Sequence, residues 1–472
     1  MHKALLIILL LAVTAATVAV LLLRPGQALR VATGIVSHTL CSDTFVAGLD
    51  PAQSFRETFA SMPGIRRLIP WLRYEVDRPR KEVRAHIAGR FESRAAYHDG
   101  VGCEIVHPTP VNGAVPGPTA EIGGGTWPSG VADIAGAAVV EPADDRLRAA
   151  LDGAFAETAG GPPRGTKAVI VLHDGRIVAE RYAPGYGIDT PLLGWSMTKS
   201  VVNALIGILV QHGRLSVTEP APVAAWRDPA DPRHPITVEQ LMRMTSGLAL
   251  DETNSGFDPS SRMLFTEPDM AGFAESAALK APPGTRYHYS SASTLILSRI
   301  IRDAAGGRAE DVRLFAEREL FRPLGMRHVT LEFDAAGTPV GSTYMYATAR
   351  DWARFGMLYV NDGVGGGRRI LPEGWIRYSA SPTPGSRDGY GAGFFTNRGD
   401  SDFGRLRVRG GMPADSFFAS GTQGQRIVIA PAERLVVVRL GRSQDWETFD
   451  IRGLIRLVAD ANAAVNHGPA RR

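Results

Sequence analysis

The alternation of apolar and polar positions divides the chain into a few segments with distinct periods. Residues 4–23 are uncharged and mostly apolar, and they lie between Lys3 and Arg24. Twenty residues of helix span about 30 Å, the thickness of the hydrocarbon core of a bilayer. A cleavable signal usually has an apolar stretch of only about 7–15 residues. The length therefore favours an uncleaved transmembrane helix within residues 1–24, with a cleaved signal as the alternative.

Residues 25–105 are predicted to form a small region of their own. Positions 82–91 have the pattern of a strand, and both cysteines of the chain, Cys41 and Cys103, fall in this region. Neither cysteine belongs to a CxxC pair or a Cys/His cluster, which argues against a zinc site. Two free thiols and a single disulfide both fit the sequence, and export of the chain would favour the disulfide.

Residues 106–143 are rich in Pro, Gly, Thr and Ala and predict a linker or an extended wrap over another surface. Regular patterns resume in a domain predicted at 144–467. They indicate helices at 145–158 and 448–465, and strands at 168–172, 177–182, 426–429 and 435–440. Asp174-Gly175 between the first two strands is typical of a hairpin turn. Strands from distant parts of the chain predict one sheet covered by helices.

Composition narrows the classes of function. The chain has 52 basic and 48 acidic residues, a formal net charge of +4, and no dense basic block with interleaved aromatics. Nucleic-acid binding therefore has little support. Only five of the basic residues are lysines, so a lysine in an apolar setting is informative.

The most informative segment is the run Gly-Trp-Ser-Met-Thr-Lys-Ser at 194–200, which leads into an apolar stretch at 201–210. Ser196 is predicted at the N-terminus of a buried helix, with Lys199 one turn later on the same face. A serine hydroxyl becomes a good nucleophile when a nearby base takes its proton. A lysine in a desolvated pocket has a lowered pKa and can be that base. The alternative, a serine cap followed by a solvated lysine, fits so apolar a helix poorly.

Two further segments carry candidate chemistry. Tyr289 lies between a Pro/Gly turn and an apolar stretch at 295–301, where a tyrosine can act as general acid or base, or can simply bond to backbone. Residues 417–425 lead into the predicted strand at 426–429 and contain Gly421. Glycine lets backbone approach a ligand closely, so an N–H group there could form half of an oxyanion hole. On its own, this segment is typical of a turn.

In this order, the three segments resemble the penicillin-recognising serine hydrolases, which include class C β-lactamases, DD-peptidases, β-lactamase-like esterases and 6-aminohexanoate-dimer hydrolases. Residues 236–248 and 349–356 also match the family, and the resemblance covers about residues 145–465. The loop Tyr289-Ser290-Ser291 is most similar to the 6-aminohexanoate-dimer hydrolase and class C β-lactamase-like esterase branch. The resemblance implies an α/β (α+β) fold in which an antiparallel sheet is flanked by helices and joined by an all-helical subdomain.

The resemblance also implies residue roles. Ser196 would attack the acyl carbon, while Lys199 and Tyr289 would share the proton transfers. Ser291 would support them by hydrogen bonding, and the backbone N–H groups of Ser196 and Thr422 would form the oxyanion hole. Which of Lys199 and Tyr289 is the primary base stays open, because coupled groups titrate as a pair. The family uses no metal or cofactor.

One departure from the family pattern affects the expected substrate. β-Lactamases and DD-peptidases usually have Lys-Thr-Gly on the strand beside the site, whereas this chain has Ala419-Ser420-Gly421. The missing cation makes esters or small amides better candidates than penicillins or peptidoglycan stems, unless an arginine from elsewhere compensates. Two loops are candidate pocket walls or ordinary packing. Their aromatic side chains are Phe257, Phe265, Tyr390, Phe394 and Phe395.

The sequence therefore predicts a membrane-anchored serine hydrolase with a periplasmic or otherwise extracytoplasmic catalytic domain. It would act on small-molecule esters or amides without metal, cofactor or nucleic acid. Two alternatives remain: a β-lactamase or D-amino-acid peptidase acting on cell-wall-type substrates, and a non-catalytic envelope binding or sensor protein. The oligomeric state is left open.

Overall fold

The computed structural model describes residues 25–60, 62–108, 136, 138–157, 161–444 and 449–466. The predicted membrane helix within residues 1–24 and most of the predicted linker lie outside these residues. Of the helices in the described ranges, none combines the length and the apolar character that a membrane span requires.

Residues 25–105 fold as a helix packed across a four-stranded antiparallel sheet of order β1-β2-β3-β4. The elements are α1 (Pro25–Phe45), α2 (Pro51–Phe59), α3 (Pro63–Leu68), β1 (Leu72–Asp77), β2 (Glu82–Ile87), β3 (Arg90–His98) and β4 (Gly102–Ile105). The strand pattern predicted at 82–91 is confirmed at 82–87 and 90–91, but it belongs to two strands and not to one. Ala88 and Gly89 have φ of 50° and 70°, so the chain reverses there and forms two paired strands. We call residues 25–105 the small domain.

A disulfide joins α1 to the sheet. Cys41 and Cys103 are bonded with their Cα atoms 6.1 Å apart, and both side chains are buried. Of the two states that the sequence left open, the structure contains the disulfide. The bond closes a loop that includes most of the small domain, which restricts the unfolded chain and favours the folded one.

The rest of the chain is built on a six-stranded antiparallel sheet of order β12-β13-β14-β15-β5-β6. The strands after the small domain are β5 (Thr166–His173), β6 (Arg176–Tyr182), β7 (Leu192–Leu193), β8 (Val329–Leu331), β9 (Met345–Ala347), β10 (Val364–Gly365), β11 (Arg368–Arg369), β12 (Phe395–Thr396), β13 (Phe417–Gly421), β14 (Gln425–Ala430) and β15 (Leu435–Gly441). Because β15 pairs with β5, the predicted sheet from distant parts of the chain is confirmed.

The helices that follow the small domain either cover the two faces of this sheet or form a separate group. They are α4 (Asp145–Phe155), α5 (Thr198–Gln211), α6 (Val238–Met242), α7 (Pro259–Thr266), α8 (Met270–Glu275), α9 (Ser291–Ala305), α10 (Ala309–Ala316), α11 (Arg322–Leu324), α12 (Ala349–Val360), α13 (Trp375–Ala380), α14 (Asp402–Arg409) and α15 (Phe449–Asn466). Helices α4 and α15 pack on one face and α12 on the other. Helices α6 to α10 gather around α9 as a separate helical group.

The middle of strand β5, residues 168–172, is apolar at every position. Val169 and Val171 face the core beneath α4 and α15, whereas Ala168 and Ile170 face the larger core beneath α12 and α5. A strand buried on both faces has no polar side, so its pattern is a continuous apolar run. The turn to β6 has positive φ at Asp174 and Gly175, as their sequence predicted.

The described end of the predicted linker lies against the sheet edge. Val140 exchanges two hydrogen bonds with Glu180 of β6: its N–H donates to the carboxylate at 2.8 Å, and its carbonyl accepts from Glu180 N at 3.0 Å. Arg350 of α12 donates to the carbonyls of Gly136 and Ala138 at 2.7 and 2.8 Å. At this end, the segment is therefore an extended wrap over an edge strand.

The small domain is joined to the larger body by buried polar groups. Glu332 accepts hydrogen bonds from Cys103 N and Ser42 Oγ, both at 2.7 Å, and burial raises the pKa of its carboxyl to about 8. The carboxylate of Asp43 lies 2.7 Å from the guanidinium of Arg442. Because these groups are shielded from water, the two parts of the chain depend on each other for their partners.

Candidate functional site

Ser196 lies in a tight turn, Trp195–Met197, immediately before α5. Trp195 has φ of 49°, a left-handed conformation that is strained for a bulky residue and often marks a functional site. Its ring is buried, and so is Met197, whereas Ser196 is partly exposed. The turn therefore leaves Ser196 partly open to solvent between two buried side chains, immediately before the buried helix that the sequence predicted.

Lys199 reaches back to Ser196 from the first turn of α5. Its Nζ lies 3.0 Å from Ser196 Oγ, 3.1 Å from Ser291 Oγ and 2.9 Å from the carbonyl oxygen of Ser342. The residue is only 3% exposed. Burial lowers the pKa of its amine to about 8, against an opposing effect of the Glu252 charge. A lysine with this pKa has an appreciable neutral fraction at neutral pH and can accept a proton.

Tyr289 approaches the same serine from the loop before α9. Its ring centre lies 5.0 Å from Lys199 Nζ, and the side chain of Ser196 acts on the Tyr289 hydroxyl by lowering its pKa. Burial, and after it the negative charge of Glu252, raises the pKa of the Tyr289 hydroxyl well above its usual value. The Tyr289 hydroxyl is therefore protonated at neutral pH, whereas part of the Lys199 amine is neutral and able to accept a proton.

Aromatic side chains surround the Tyr289 ring. Tyr390 meets it edge-on at 5.6 Å between ring centres, and Phe395 is stacked at 6.3 Å. Phe265 and Phe394, which the sequence also offered as pocket walls, are buried in the main core. Two of the predicted wall residues thus hold the tyrosine, while these other two are ordinary packing.

The end of β13 approaches the turn that carries the serine. A Cβ added to Gly421 would lie 2.1 Å from the carbonyl oxygen of Gly194, so only glycine permits this approach. Thr422 follows directly in an exposed position. The strand end is thereby adjacent to the Ser196 turn, and the oxyanion hole formed by the N–H groups of Ser196 and Thr422 stays a prediction.

An arginine lies on β14, the strand that pairs with β13, where the lysine usual in the family is missing. Arg426 of β14 is paired across the sheet with Ser420, and its charge lowers the pKa of Tyr289, although less than burial raises it. Its guanidinium donates to the carbonyls of Gly421 and Gln425 at 2.7 and 2.8 Å, and the residue is 8% exposed. Arg426 therefore adds positive charge near the site while bonded to backbone, unlike a cation presented to a substrate carboxylate.

Glu252 is a residue of the site that sequence reasoning missed. Its carboxylate accepts hydrogen bonds from the backbone N–H and from the hydroxyl of Ser291, the latter at 3.1 Å. A chain of contacts thus runs from Ser196 through Lys199 and Ser291 to Glu252. The carboxylate lies in an irregular loop, where no periodicity marks it. The available signal was the matching stretch 236–248, which ends four residues earlier.

Comparisons with known proteins agree with this geometry. Residues 151–461 match the profile of the family described as Beta-lactamase. The 6-aminohexanoate-dimer hydrolase of Paenarthrobacter ureafaciens is 26% identical over 310 residues, covering 61% of this chain and 76% of that protein. A penicillin-binding protein homologue from Caulobacter crescentus superposes with a TM-score of 0.54 at 21% identity, covering 69% of this chain and 99% of that one. A family VIII carboxylesterase gives 0.53 at 17% identity, with 69% and 98% covered.

Fold and comparisons define the class of protein as the serine hydrolases of the β-lactamase fold. The family match extends over well more than half of the sequence. The chain belongs to the Beta-lactamase family and is a hydrolase. The predicted family resemblance and enzyme class are confirmed, as is the α/β fold with its antiparallel sheet and helices.

Proposed function

We propose that this protein is a membrane-anchored serine hydrolase that cleaves esters or small amides through an acyl-enzyme on Ser196. The observation that carries the proposal is the 3.0 Å contact between Ser196 Oγ and the buried amine of Lys199. A serine paired with a base of lowered pKa at a rigid turn is the arrangement that nucleophilic catalysis needs.

The acylation step follows from the positions of the groups. Neutral Lys199 takes the proton of Ser196, and Oγ forms a bond to the acyl carbon of the substrate. Tyr289 donates its proton to the leaving oxygen or nitrogen as the bond from the acyl carbon to that atom breaks. The ammonium of Lys199 then reprotonates Tyr289, so both groups regain their starting states. Water attacks the acyl-enzyme by the same transfers in reverse.

The substrate class is inferred from the charges beside the site. Ala419 stands where the family usually has a cation, and Arg426 is bonded to backbone carbonyls. Binding of a substrate carboxylate, as in penicillins, therefore has weak support. The names of two similar proteins, a 6-aminohexanoate-dimer hydrolase and a carboxylesterase, support small amides and esters.

An extracytoplasmic position of the catalytic domain is also part of the proposal. The disulfide between Cys41 and Cys103 supports it, because disulfides persist in oxidising compartments and are rare in the cytosol. The uncharged residues 4–23 directly precede the small domain and would anchor it to the membrane.

Covalent labelling tests the nucleophile directly. We expect a fluorophosphonate to add to the full chain in detergent, and the added mass to disappear in Ser196→Ala. Ser200→Ala is a matched control, because this serine lies one turn further along α5 and donates to the carbonyl of Gly393 at 2.6 Å. The control should label like the wild type. A folded wild-type chain without label and without ester turnover would favour the binding or sensor alternative.

Glu252 is proposed as a positioning residue that acts through Ser291 and Lys199. We expect Glu252→Gln to lower kcat for a short-chain ester by about tenfold. The hydrogen bonds from Ser291 would then end on a neutral amide, which is a weaker acceptor than a carboxylate. Glu252 raises the pKa of Lys199, so its neutralisation should also move the rise of kcat/KM to lower pH.

The conservative variant separates positioning from general damage. Glu252→Asp keeps the charge, so its pH profile should lie close to that of the wild type, even if kcat falls. A pH profile of Glu252→Gln that stays in place or moves to higher pH would contradict the assignment. Circular dichroism of each variant shows whether the fold is retained.

A further inference from the structure

Trp71 is a strongly exposed tryptophan of the small domain. Trp71 and Phe257 are each 58% exposed, the highest values among the large apolar side chains of the described residues. Trp71 lies in the short connection between α3 and β1. Tryptophan is enriched at interfaces where one end of its ring is apolar and its N–H is wet.

Unpaired positive charge surrounds Trp71. Positions 63–73 contain Arg66, Arg67 and Arg73 and no acidic residue, and all three arginines are exposed. Arg90, the first residue of β3, is exposed as well. Arg73 donates to the carbonyls of Pro70 and Leu72. Within the part of the chain that the structure describes, none of the four is paired with a carboxylate.

Contacts place this group at the end of the domain where α1 begins. The carbonyl of Trp71 accepts a hydrogen bond from Ala88 N at 3.0 Å, in the turn that leads directly to Arg90. Phe91, the next residue, packs against Gly26: a Cβ added there would lie 3.2 Å from the Phe91 ring. Gly26 is the second residue of α1 and lies three positions after the uncharged stretch 4–23. Trp71, Arg90 and the start of α1 therefore share one end of the domain, and α3, which carries Arg66 and Arg67, ends three residues before Trp71.

We propose that this end, the Trp71 surface (Arg66, Arg67, Trp71, Arg73 and Arg90), rests on a bilayer that contains anionic phospholipids. Tryptophan favours the headgroup level of a membrane, where its ring is apolar and its N–H is wet. Arginine matches lipid phosphates by two parallel hydrogen bonds, and basic residues near a membrane are attracted to anionic lipids. The inference rests on the proposed anchor for its placement and adds a second contact that fixes the orientation of the catalytic domain.

A fluorescent probe at position 71 tests the surface. The chain has two cysteines, joined in the disulfide, so Trp71→Cys in the full chain gives one site for an environment-sensitive dye. Phe403→Cys is the matched control, an exposed apolar position, 38% accessible, on α14 of the catalytic domain. In vesicles of phosphatidylcholine with phosphatidylglycerol, the dye at 71 should emit at shorter wavelength than in vesicles of phosphatidylcholine alone. It should lose about half of its emission to a lipid with a headgroup-level nitroxide, and the dye at 403 should do neither.

Charge and anchor are tested separately. Arg66→Gln with Arg67→Gln, added to the labelled chain, should reduce the quenching at 71 in the anionic vesicles, because fewer basic residues face the lipid phosphates. A chain that floats with vesicles while the dye at 71 stays in water would overturn the Trp71 surface and leave the anchor intact. A chain that does not float with vesicles would overturn both. Fluorophosphonate labelling of the same samples reports on Ser196 independently. Equal quenching in neutral and anionic vesicles would overturn the role of the arginines.

Discussion

Lys199→Met is expected to lower kcat/KM for a short-chain ester by about 10²–10⁴-fold, the range in which a positioned general base contributes. Methionine has nearly the length of lysine and suits the buried setting of α5, so the packing is retained. What is lost is the amine 3.0 Å from Ser196 Oγ. Steady-state kinetics measures the effect, and circular dichroism confirms the fold.

The pH profile of the wild-type enzyme should reflect the pKa of Lys199. Because burial lowers the pKa of Lys199 to about 8, about a tenth of the amine is neutral at pH 7, against roughly one in 2,500 for an ordinary lysine. The neutral amine is the active form, so kcat/KM should rise with pH and level off above about pH 8.

Lys81→Met is the control for the loss of a lysine. Its side chain is 45% exposed and pairs with Asp99 on the small domain, so activity should be unchanged. A Lys199→Met enzyme that retains wild-type kcat/KM and the same pH profile would remove lysine from the mechanism and leave Tyr289 as the base.

Asp43→Ala is expected to destabilise the folded chain by about 3–5 kcal/mol, because removal of one partner leaves a buried charge uncompensated. Asp43 and Arg442 are 2% and 8% exposed and 2.7 Å apart, and Tyr346 also donates to Asp43 at 3.1 Å. Glu57, 3.8 Å from Arg442, offsets only part of the loss. The midpoint of urea unfolding of the full chain measures the effect.

The double variant distinguishes loss of the ion pair from general damage to the fold. Only loss of the pair predicts that the second substitution restores stability. Asp43→Ala with Arg442→Met removes both charges, so it should be more stable than either single variant. Asp99→Ala, which breaks the exposed pair with Lys81, should cost at most about 1 kcal/mol. A double variant less stable than both single variants, or a cost for Asp43→Ala no larger than for Asp99→Ala, would contradict the expected energetics.

Local signals explain what could be predicted from the sequence. The hairpin at Asp174-Gly175 follows from two neighbouring residues, and the pair of Ser196 and Lys199 follows from helical spacing. The same kind of reasoning missed the reversal between the two strands within 82–91, because Ala88 adopts a positive φ that alanine rarely takes. Strand periodicity continues across such a reversal, so the pattern alone does not reveal it.

Non-local contacts explain what could not be predicted. Asp43 and Arg442 are 399 positions apart, and neither has a pattern that marks it as a buried ion pair. Glu252 gains its contact with Ser291 only because its loop returns to the start of α9. Tyr289 was found through its resemblance to a family motif, since a tyrosine in a loop is by itself a common packing residue.

On the proposed membrane, helix α1 would also set how far Ser196 stands from the lipid. It has 21 residues, and at 1.5 Å per residue it is about 30 Å long. Its first turn lies at the Trp71 surface, while Val46 and Ala47, just beyond its other end, pack against the cluster of Trp195 beside Ser196. Ile35, in the middle of α1, packs against the same cluster. With the Trp71 surface on the bilayer and α1 directed away from it, the serine would stand above the acyl esters of the lipid by part of that length. The enzyme would then draw its substrates from the aqueous layer above the membrane, and phospholipids of its own bilayer would be out of reach.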